Sequence, residues 1–362
     1  MPGKGRETVG KNPVDKLIGE RVPWLSDTGS DSGIAMSTRI RLARNLAGVP
    51  FPIQAEEADL RSVAKKMRIA IEKSGALKRP VAIEMETMSE LDGGVLMERR
   101  LISRDFLIRP SGAMLVMDGG ESLSVMLNEE DHLRVQAIFP GLRLFDAWRK
   151  INEFDDGICA DLDVAFDKTL GFLTSCPTNI GTGMRASVML HLPALALAGQ
   201  VDKLVQGVNK LGLAVRGIFG EGSENLGNLF QISNQSTLGE SEEDILRRLD
   251  AVMAHVVKHE KNARAKLMET REKFLLDSIG RAYGSLKYAY LITTKEAFNS
   301  LSLLRLGVDL GIIGSVDVRT VNELFIVAQP AHLQKAAGHN FSAEERDALR
   351  AAIIRGKLRP AT

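Results

Sequence analysis

The spacing of hydrophobic and polar positions changes near residue 240 of this chain. Before that point, short apolar runs alternate with polar turns, which is typical of strands. The predicted strands cover residues 81–86, 114–117, 123–127, 172–175, 215–219 and 229–233. Helices are predicted between them at 56–74 and 131–138. Because the runs are irregularly spaced, they favour an antiparallel sheet flanked by helices over repeated βαβ units.

After residue 240 the apolar positions follow a helical period. Ser241, followed three residues later by Asp244, is typical of a helix N-terminal cap. The next apolar residues fall on one helical face. They are Ile245, Leu249, Val252, Met253, Val256 and Val257.

The helical pattern continues to the end of the chain, with breaks predicted around Gly280 and Gly284. Ser342 and Glu345 form a second capping box, which opens a final helix at residues 343–355. The fold class is therefore α+β, followed by a helical C-terminal part.

These patterns divide the chain into three parts. Residues 1–36 are rich in Gly, Ser, Asp and Lys and form an N-terminal segment. Residues 37–260 form the α+β domain with the sheet, and residues 261–362 form a helical C-terminal domain.

Composition excludes several classes of protein. The 47 Lys and Arg nearly balance the 46 Asp and Glu, so no overall field attracts nucleic acid or an anionic membrane. Two cysteines in 362 residues make no disulfide framework, which favours a reducing compartment. No signal peptide is evident in residues 1–10, and the most apolar stretch, 186–199, is too short to cross a bilayer. We expect a cytoplasmic protein with no dedicated metal site.

Candidate chemistry lies in scattered arginines, since the Walker A sequence and the kinase glycine-rich loop are absent. Arg39 and Arg41, at i and i+2, project from one face of an extended segment. Arg134, Arg185 and Arg216 occupy similar polar contexts. Guanidinium groups match phosphate oxygens with paired N–H donors, so several arginines could replace a glycine-rich phosphate-binding loop. Taken singly, each could instead be a surface arginine in a weak ion pair.

The arginines belong to four motifs that occur in a fixed order. These are STRIR from residue 37, NEEDHLR from 128, SCPTNxGTGxRAS from 175 and RGxxGEGSE from 216. Over residues 37–246, this series resembles the catalytic domain of the phosphagen kinases, the family of creatine and arginine kinases. Residues 227–239 resemble the family's strand after its flexible substrate loop. The resemblance implies an ATP-dependent kinase whose phosphoryl acceptor is a guanidinium group.

The resemblance also implies roles for individual residues. The ATP-binding positions are Ser37, Arg39, Arg41, Arg134, Arg185 and Arg216. Glu130 corresponds to a carboxylate that holds the acceptor guanidinium, and Glu221 to a second one on the mobile loop. Cys176 corresponds to a reactive cysteine beside the substrate, with Ser175 as its hydroxyl neighbour. The alternative for Cys176 is a buried core thiol. Cys159 has no such context and is expected to be structural.

The chemistry agrees with these roles. A guanidinium has a pKa above about 12 and is a poor nucleophile while protonated. Two carboxylates can align it with the γ-phosphate and accept its proton. Arginines and Mg²⁺ would neutralise the charge of the phosphoryl transition state. The expected cofactors are therefore ATP and Mg²⁺. The resemblance also implies a histidine near the adenine at the position of Arg100, whose guanidinium could stack there instead.

The C-terminal part resembles the McsB branch of the family, the protein arginine kinases. Small-molecule phosphagen kinases carry a helical domain ahead of the first arginine motif, whereas only 36 residues precede it here. Residues 346–351, RDALRA, resemble the phosphoarginine-recognition motif of that branch. Arg346 and Arg350 are neighbours on one helical face and could hold a phosphoryl group, while Asp347 accepts from the modified guanidinium. The alternative is an ordinary solvated face of charges.

We therefore expect a protein arginine kinase. The alternatives are a kinase for a free guanidino compound and a non-catalytic phosphoarginine-binding adaptor. Intact motif residues argue against the adaptor. The resemblance implies that the partners are proteins with exposed arginines, a heat-shock repressor, a zinc-containing activator protein and a Clp-type unfoldase. It also implies a homodimer.

Overall fold

A computed structural model describes residues 12–26, 28–108, 111–217 and 226–359. Its strands are β1 (Ala35–Arg44), β2 (Val81–Glu84), β3 (Met114–Met117), β4 (Leu123–Leu127), β5 (Leu133–Pro140), β6 (Phe166–Asp167), β7 (Gly171–Phe172), β8 (Met184–His191), β9 (Leu213–Gly217) and β10 (Leu229–Asn234). Its helices are α1 (Pro13–Gly19), α2 (Glu57–Ser74), α3 (Glu90–Glu98), α4 (Leu144–Cys159), α5 (Pro193–Leu197), α6 (Val201–Lys210), α7 (Glu242–Thr270), α8 (Glu272–Tyr288), α9 (Thr294–Asp309), α10 (Val318–Val327), α11 (Pro330–Ala337) and α12 (Ala343–Lys357).

Eight strands form one sheet in the order β2-β3-β4-β5-β1-β8-β10-β9. Neighbouring strands are antiparallel throughout this sheet, which confirms the predicted sheet type. A small separate hairpin pairs β6 with β7. Strand β1 lies near the middle of the large sheet, between β5 and β8.

The two faces of β1 differ in chemistry because side chains alternate along a strand. Thr38, Ile40 and Leu42 are fully buried on one face, whereas Arg39 and Arg41 are partly buried on the other. The apolar side of the sheet packs against α2, α4 and α7 in the main hydrophobic core. One face of the sheet therefore stabilises the domain, and the opposite face is left for polar side chains.

The C-terminal helices surround a second core. Phe298 and Phe325 meet edge to face in it, with ring centroids 5.4 Å apart, and Met189 of β8 joins the same cluster. The buried guanidinium of Arg305 on α9 donates to the carbonyls of Ser32 and Gly33, just before β1. The C-terminal helices are thus attached directly to the central strands. In the described parts of the chain, no helix has the length and apolar character needed to cross a bilayer.

Several predicted elements are confirmed. Ser241 accepts from the amide of Asp244 at the start of α7, and Ser342 and Glu345 form the expected capping box of α12. The strands predicted at 114–117 and 123–127 match β3 and β4. Helix α7 runs through residue 260 without a break, so no linker lies at the predicted boundary. The three-part division of the chain stays a prediction.

Three local predictions are wrong. Residues 131–138 are not helical, because Leu133–Pro140 is strand β5, paired on both sides with β4 and β1. Of the strand predicted at 172–175, only Phe172 is in a strand, at the end of β7. Gly280 and Gly284 do not break α8, because packing of the helix outweighs a glycine cost of about 1 kcal/mol each.

Candidate active site

Strand register brings the arginine motifs to one face of the sheet. Arg41 on β1 lies directly opposite Arg185 on β8. Arg134 on β5 pairs with Ala43, which shares a face with Arg41. Arg216 on β9 falls on the same face at the far end of the sheet. Residues that are far apart in sequence therefore form one polar surface, because the side chain of each points to the same face of the sheet.

A cleft of about 870 Å³ opens over this surface. Six of the predicted site residues line it: Arg41, Glu130, Arg134, Cys176, Arg185 and Arg216. Helix α6 supplies a further wall through Val201, Asp202 and Val205, which the sequence analysis did not identify. Ser37 and Arg39, which were also predicted to bind ATP, are not among the residues that line the cleft, and Ser37 is only 3% exposed within β1. Glu221 lies outside the described residues.

Burial and neighbouring like charges act together on the arginine surface. Burial, together with the charges of Arg39, Arg134 and Arg185, holds the pKa of Arg41 well below its ordinary value. Burial, followed by the charges of Arg100, Arg134 and Arg185, lowers the pKa of Arg39 to about 9. The buried Nε of Arg41 has no hydrogen-bond partner in the part of the chain that the structure describes. A polyphosphate would supply both the negative charge and the acceptor.

Arg134 is oriented by a carboxylate. Its Nη1 lies 2.7 Å from Oε1 and 2.5 Å from Oε2 of Glu129, and Ser103 Oγ donates to the same carboxylate at 2.5 Å. Burial alone would raise the pKa of Glu129, but Arg134 holds it below its ordinary value. Glu129 is therefore a charged partner of Arg134, whereas the next residue, Glu130, lines the cleft.

The Glu130 turn is tied to the Cys176 turn by Asp131 and Ser175. Asp131 Oδ1 accepts from the Ser175 amide at 2.7 Å and from Asn45 Nδ2 at 2.6 Å. Ser175 Oγ donates to the carbonyl of Glu130 at 2.7 Å. These bonds fix the backbone positions of Glu130 and Cys176 relative to each other, which is what an acceptor site requires.

The hydroxyl that contacts the Cys176 thiol belongs to Thr178 and not to Ser175. Cys176 Sγ lies 3.0 Å from Thr178 Oγ1, while the Ser175 hydroxyl is occupied by the Glu130 carbonyl. Cys159 differs, since burial and the nearby Asp155 raise the pKa of its thiol to about 11. A thiol with a raised pKa is a poor nucleophile, which agrees with the structural role predicted for Cys159.

Two glycines shape the turn between Cys176 and Arg185. Gly181 has a φ of +112°, and a Cβ there would overlap the carbonyl oxygen of Thr237. Gly183 has a φ of +63°, and a Cβ there would lie 2.7 Å from the carbonyl oxygen of Ala43. The motif needs glycine at both positions because backbone from β1 and from the segment after β10 approaches so closely.

Arg100 lies at another side of the arginine surface. Its residue has a φ of +63°, and its Cζ lies 5.4 Å from the ring centroid of Trp24. Burial lowers its pKa to about 10. Trp24, whose Nε1 donates to the carbonyl of Arg99 at 3.0 Å, was missed by sequence reasoning. The only sign of Trp24 in the sequence was a tryptophan within a polar N-terminal segment. The adenine contact of Arg100 stays a prediction.

The predicted phosphoarginine residues lie on α12, apart from those lining the cleft. Arg350 is 1% exposed and donates from Nε to the Ala328 carbonyl at 2.7 Å and from Nη1 to the Ile292 carbonyl at 2.8 Å. Its Nη1 also pairs with Asp347. The structure therefore brings Asp347 and Arg350 together, and Arg350 holds α12 to the neighbouring loops, while its binding of phosphoarginine stays a prediction. Arg346 is partly buried one turn earlier.

Known structures with a similar fold are phosphagen kinases. The crystal structure of lombricine kinase superposes with a TM-score of 0.58 at 22% identity, over 67% of this chain and 70% of that one. The duplicated taurocyamine kinase from Schistosoma mansoni, with bound transition-state analogue components, gives a TM-score of 0.55 at 25% identity, over 64% of this chain and 33% of that one.

Sequence comparisons extend the similarity to the whole chain. Residues 62–263 match the ATP:guanido phosphotransferase C-terminal catalytic domain, and residues 272–362 match the protein-arginine kinase McsB C-terminal domain. A protein-arginine kinase from Syntrophomonas wolfei is 46% identical over 95% of this chain and 98% of its own length. One from Bacillus subtilis is 44% identical over 92% of this chain and 93% of its own length. The chain belongs to the ATP:guanido phosphotransferase family, within its protein-arginine kinase branch.

Proposed function

We propose that this chain is an ATP-dependent kinase that transfers the γ-phosphoryl group to arginine side chains of proteins. The observation that carries the proposal is one cleft in which a surface of arginines faces a carboxylate, Glu130, and a thiol, Cys176. A surface of guanidinium groups suits a polyphosphate, and a carboxylate suits a guanidinium acceptor.

The arginine surface would bind and orient the ATP phosphates. Arg41 and Arg185, opposite each other on adjacent strands, would hold phosphate oxygens from two sides. Arg134, kept in place by Glu129, would contribute from β5. Mg²⁺ bound to ATP would supply further positive charge to the transferring phosphoryl group. Within the described residues, no cluster of three or more His, Cys, Asp or Glu is placed to hold a metal ion.

Glu130 would hold the acceptor guanidinium and take its proton. A guanidinium nitrogen attacks the γ-phosphorus, the bond from that phosphorus to the bridging oxygen of ADP breaks, and the proton lost from nitrogen passes to a carboxylate. Glu221 is proposed as the second carboxylate from its motif position. Cys176 would face the positively charged acceptor beside Glu130.

The C-terminal match to McsB and the names of the full-length relatives support a protein acceptor over a free guanidino compound. By the same resemblance, phosphorylation would mark proteins for a Clp-type protease and regulate a stress response. A heat-shock repressor and a zinc-containing activator protein are proposed as partners, and a homodimer as the assembly. The α12 motif would bind phosphoarginine and thereby influence the kinase.

An acceptor comparison tests this function. ADP release is measured with ATP and Mg²⁺, using either free arginine or an unfolded arginine-containing protein at the same total arginine concentration. We expect turnover with the protein and little with free arginine. Equal or faster turnover with free arginine would favour a small-molecule kinase. Absence of turnover together with binding of phosphoarginine would favour an adaptor.

A further inference from the structure

The side chain of Arg39 reaches across a neighbouring strand. Arg39 is on β1, and β8 separates it from β10 in the sheet. Two strand spacings amount to about 9.6 Å. Nevertheless, Arg39 Nη2 donates to Gln231 Oε1 on β10 at 2.9 Å. The Arg39 side chain therefore lies along the sheet face and reaches toward β10.

Gln231 also stands beside a second arginine of the site. It pairs in register with Arg216 across the β10–β9 ladder, and on the other side with Met189 of β8. Directly paired residues on antiparallel strands have Cβ atoms about 5 Å apart. Gln231 therefore lies between Arg39 and Arg216, two arginines that come from strands at different places in the sheet.

We propose that Gln231 is a positioning residue for the nucleotide: its neutral amide oxygen holds Arg39 next to Arg216, so that both guanidinium groups face one polyphosphate. This inference rests on the proposed function of the arginine surface. Gln231 acts through Arg39 and needs no contact with ATP of its own.

The neutrality of the amide matters because the surface must attract an anion. A carboxylate at position 231 would hold Arg39 equally well, as Glu129 holds Arg134. It would, however, place a negative charge between two guanidinium groups and oppose the approach of phosphate. An amide oxygen orients one nitrogen of Arg39 and leaves the full positive charge available. Glutamine therefore orients the guanidinium while leaving it competent to bind an anion.

Two substitutions separate these effects. Gln231→Met keeps the length of the side chain but removes the acceptor oxygen. Gln231→Glu keeps both length and acceptor but adds charge. Ser233→Ala, on the same strand and the same face, is the matched control. For each protein, the dissociation constant of ATP is measured by calorimetry, the melting temperature by scanning fluorimetry, and KM for ATP and kcat with an arginine-containing protein.

We expect ATP to bind about fivefold to tenfold more weakly to Gln231→Met, because one hydrogen bond to a charged group is lost. Gln231→Glu should bind ATP more weakly still, by tenfold or more, while melting at or above the wild-type temperature. KM for ATP should rise more than kcat falls in both variants, and Ser233→Ala should stay within about twofold of wild type.

A purely structural role predicts a different pattern. In that case the isosteric Gln231→Glu would bind ATP as wild type does, and this result would overturn the proposal even if Gln231→Met failed to fold. ATP titration needs no acceptor, so the proposal can succeed in a protein that phosphorylates no arginine. Conversely, the wild-type protein could phosphorylate arginine while its Gln231 variants bind ATP normally. That result would refute only the role of Gln231.

Discussion

Glu129 holds the guanidinium of Arg134 with both carboxylate oxygens, while the adjacent Glu130 lines the cleft instead. The backbone turn after β4 directs these neighbouring side chains to different partners. Asn128, with a φ of +58°, lies at the start of this turn, and its Nδ2 donates to the carbonyls of Leu60 and Gly112 at 2.8 Å. Two adjacent glutamates therefore differ in their surroundings: Glu129 orients Arg134, and Glu130 lines the cleft, where the proposed function places the acceptor.

Substitution of the two glutamates should separate these tasks. Glu130→Gln should lower kcat about a hundredfold or more, because the acceptor loses its aligned base, while the affinity for ATP stays near that of wild type. Glu129→Gln should instead weaken ATP binding, because Arg134 loses its charged partner. Single-turnover rates and ATP titrations measure both effects. Wild-type turnover in Glu130→Gln would contradict the proposed acceptor site.

Lysine should be a poor replacement at Arg185 and Arg216. An ammonium group keeps the positive charge but cannot offer two parallel N–H donors to phosphate oxygens. We expect Arg185→Lys and Arg216→Lys to weaken ATP binding or turnover by at least about tenfold, as for loss of one charge-assisted hydrogen bond. Arg149→Lys, an exposed arginine on α4, is the control and should have no effect. Full activity in both site variants would refute the argument from paired donors.

The α12 motif requires variants that distinguish folding from recognition. Asp347→Ala removes the carboxylate partner of the buried Arg350 and should lower the melting temperature. Asp347→Asn keeps an oxygen for Arg350 but removes the negative charge expected to recognise phosphoarginine. We expect Asp347→Asn to melt near the wild-type temperature yet to lose binding of phosphoarginine in calorimetric titrations.

The kinase response gives the second half of that test. Phosphoarginine should alter the rate of the wild-type kinase and leave the rate of Asp347→Asn unchanged, if the site is coupled to catalysis. Equal affinity in both proteins would mean that the charge of Asp347 does not recognise phosphoarginine. If Asp347→Asn loses binding but phosphoarginine does not change the rate of the wild-type kinase, the site binds phosphoarginine without regulating catalysis.

His191 should make stability depend on pH. Its Nδ1 lies 3.0 Å from Arg305 Nη1 and its Nε2 lies 2.8 Å from Ser302 Oγ. A nitrogen that accepts from a guanidinium must be unprotonated, and burial together with the charges of Arg305 and Arg264 holds the pKa of His191 well below its ordinary value. The contribution of neutral His191 to the free energy of unfolding is therefore complete above about pH 6.5 and is lost as the pH falls below that value.

The variant His191→Gln retains an acceptor and a donor but does not titrate. Below about pH 6.5, the wild-type free energy of unfolding should fall relative to that of the variant by about 1.4 kcal/mol per pH unit. Urea unfolding at pH 7.5 and pH 5.5 measures the difference. All other ionisable groups are the same in both proteins, so their effects cancel in this comparison. Parallel pH profiles would show that His191 is not the group responsible.

Sequence reasoning predicted the orientation of Arg39 and Arg41 better than the type of element that carries Arg134. The i, i+2 spacing of Arg39 and Arg41 placed both on one face of a strand, as observed. The acidic residues before Leu133 resembled a helix start, which concealed the alternation of Leu133, Val135 and Ala137. That alternation was the available sign of β5. Residues 133–140 form a strand because they pair with β1 and β4, and a local sequence pattern does not contain that information.

Contacts between distant segments could not be predicted from the chain alone. Gln231 lies 192 positions from Arg39, and Asp131 lies 44 positions from the amide of Ser175 that it accepts from. Each depends on strand order and register, which follow from packing of the whole sheet. Likewise, the helical pattern at residues 343–355 predicted α12 but gave no sign that Arg350 would be buried against two carbonyl groups.

The most direct test of the central claim is identification of the phosphorylated atom. An unfolded arginine-containing protein is incubated with ATP, Mg²⁺ and either wild-type enzyme or Glu130→Gln, and is then analysed by mass spectrometry under conditions that preserve acid-labile phosphate. The account predicts phosphate on arginine side chains with the wild type and at least about a hundredfold less with the variant. Phosphate found only on serine, threonine or tyrosine, or no phosphate with the wild type, would contradict it.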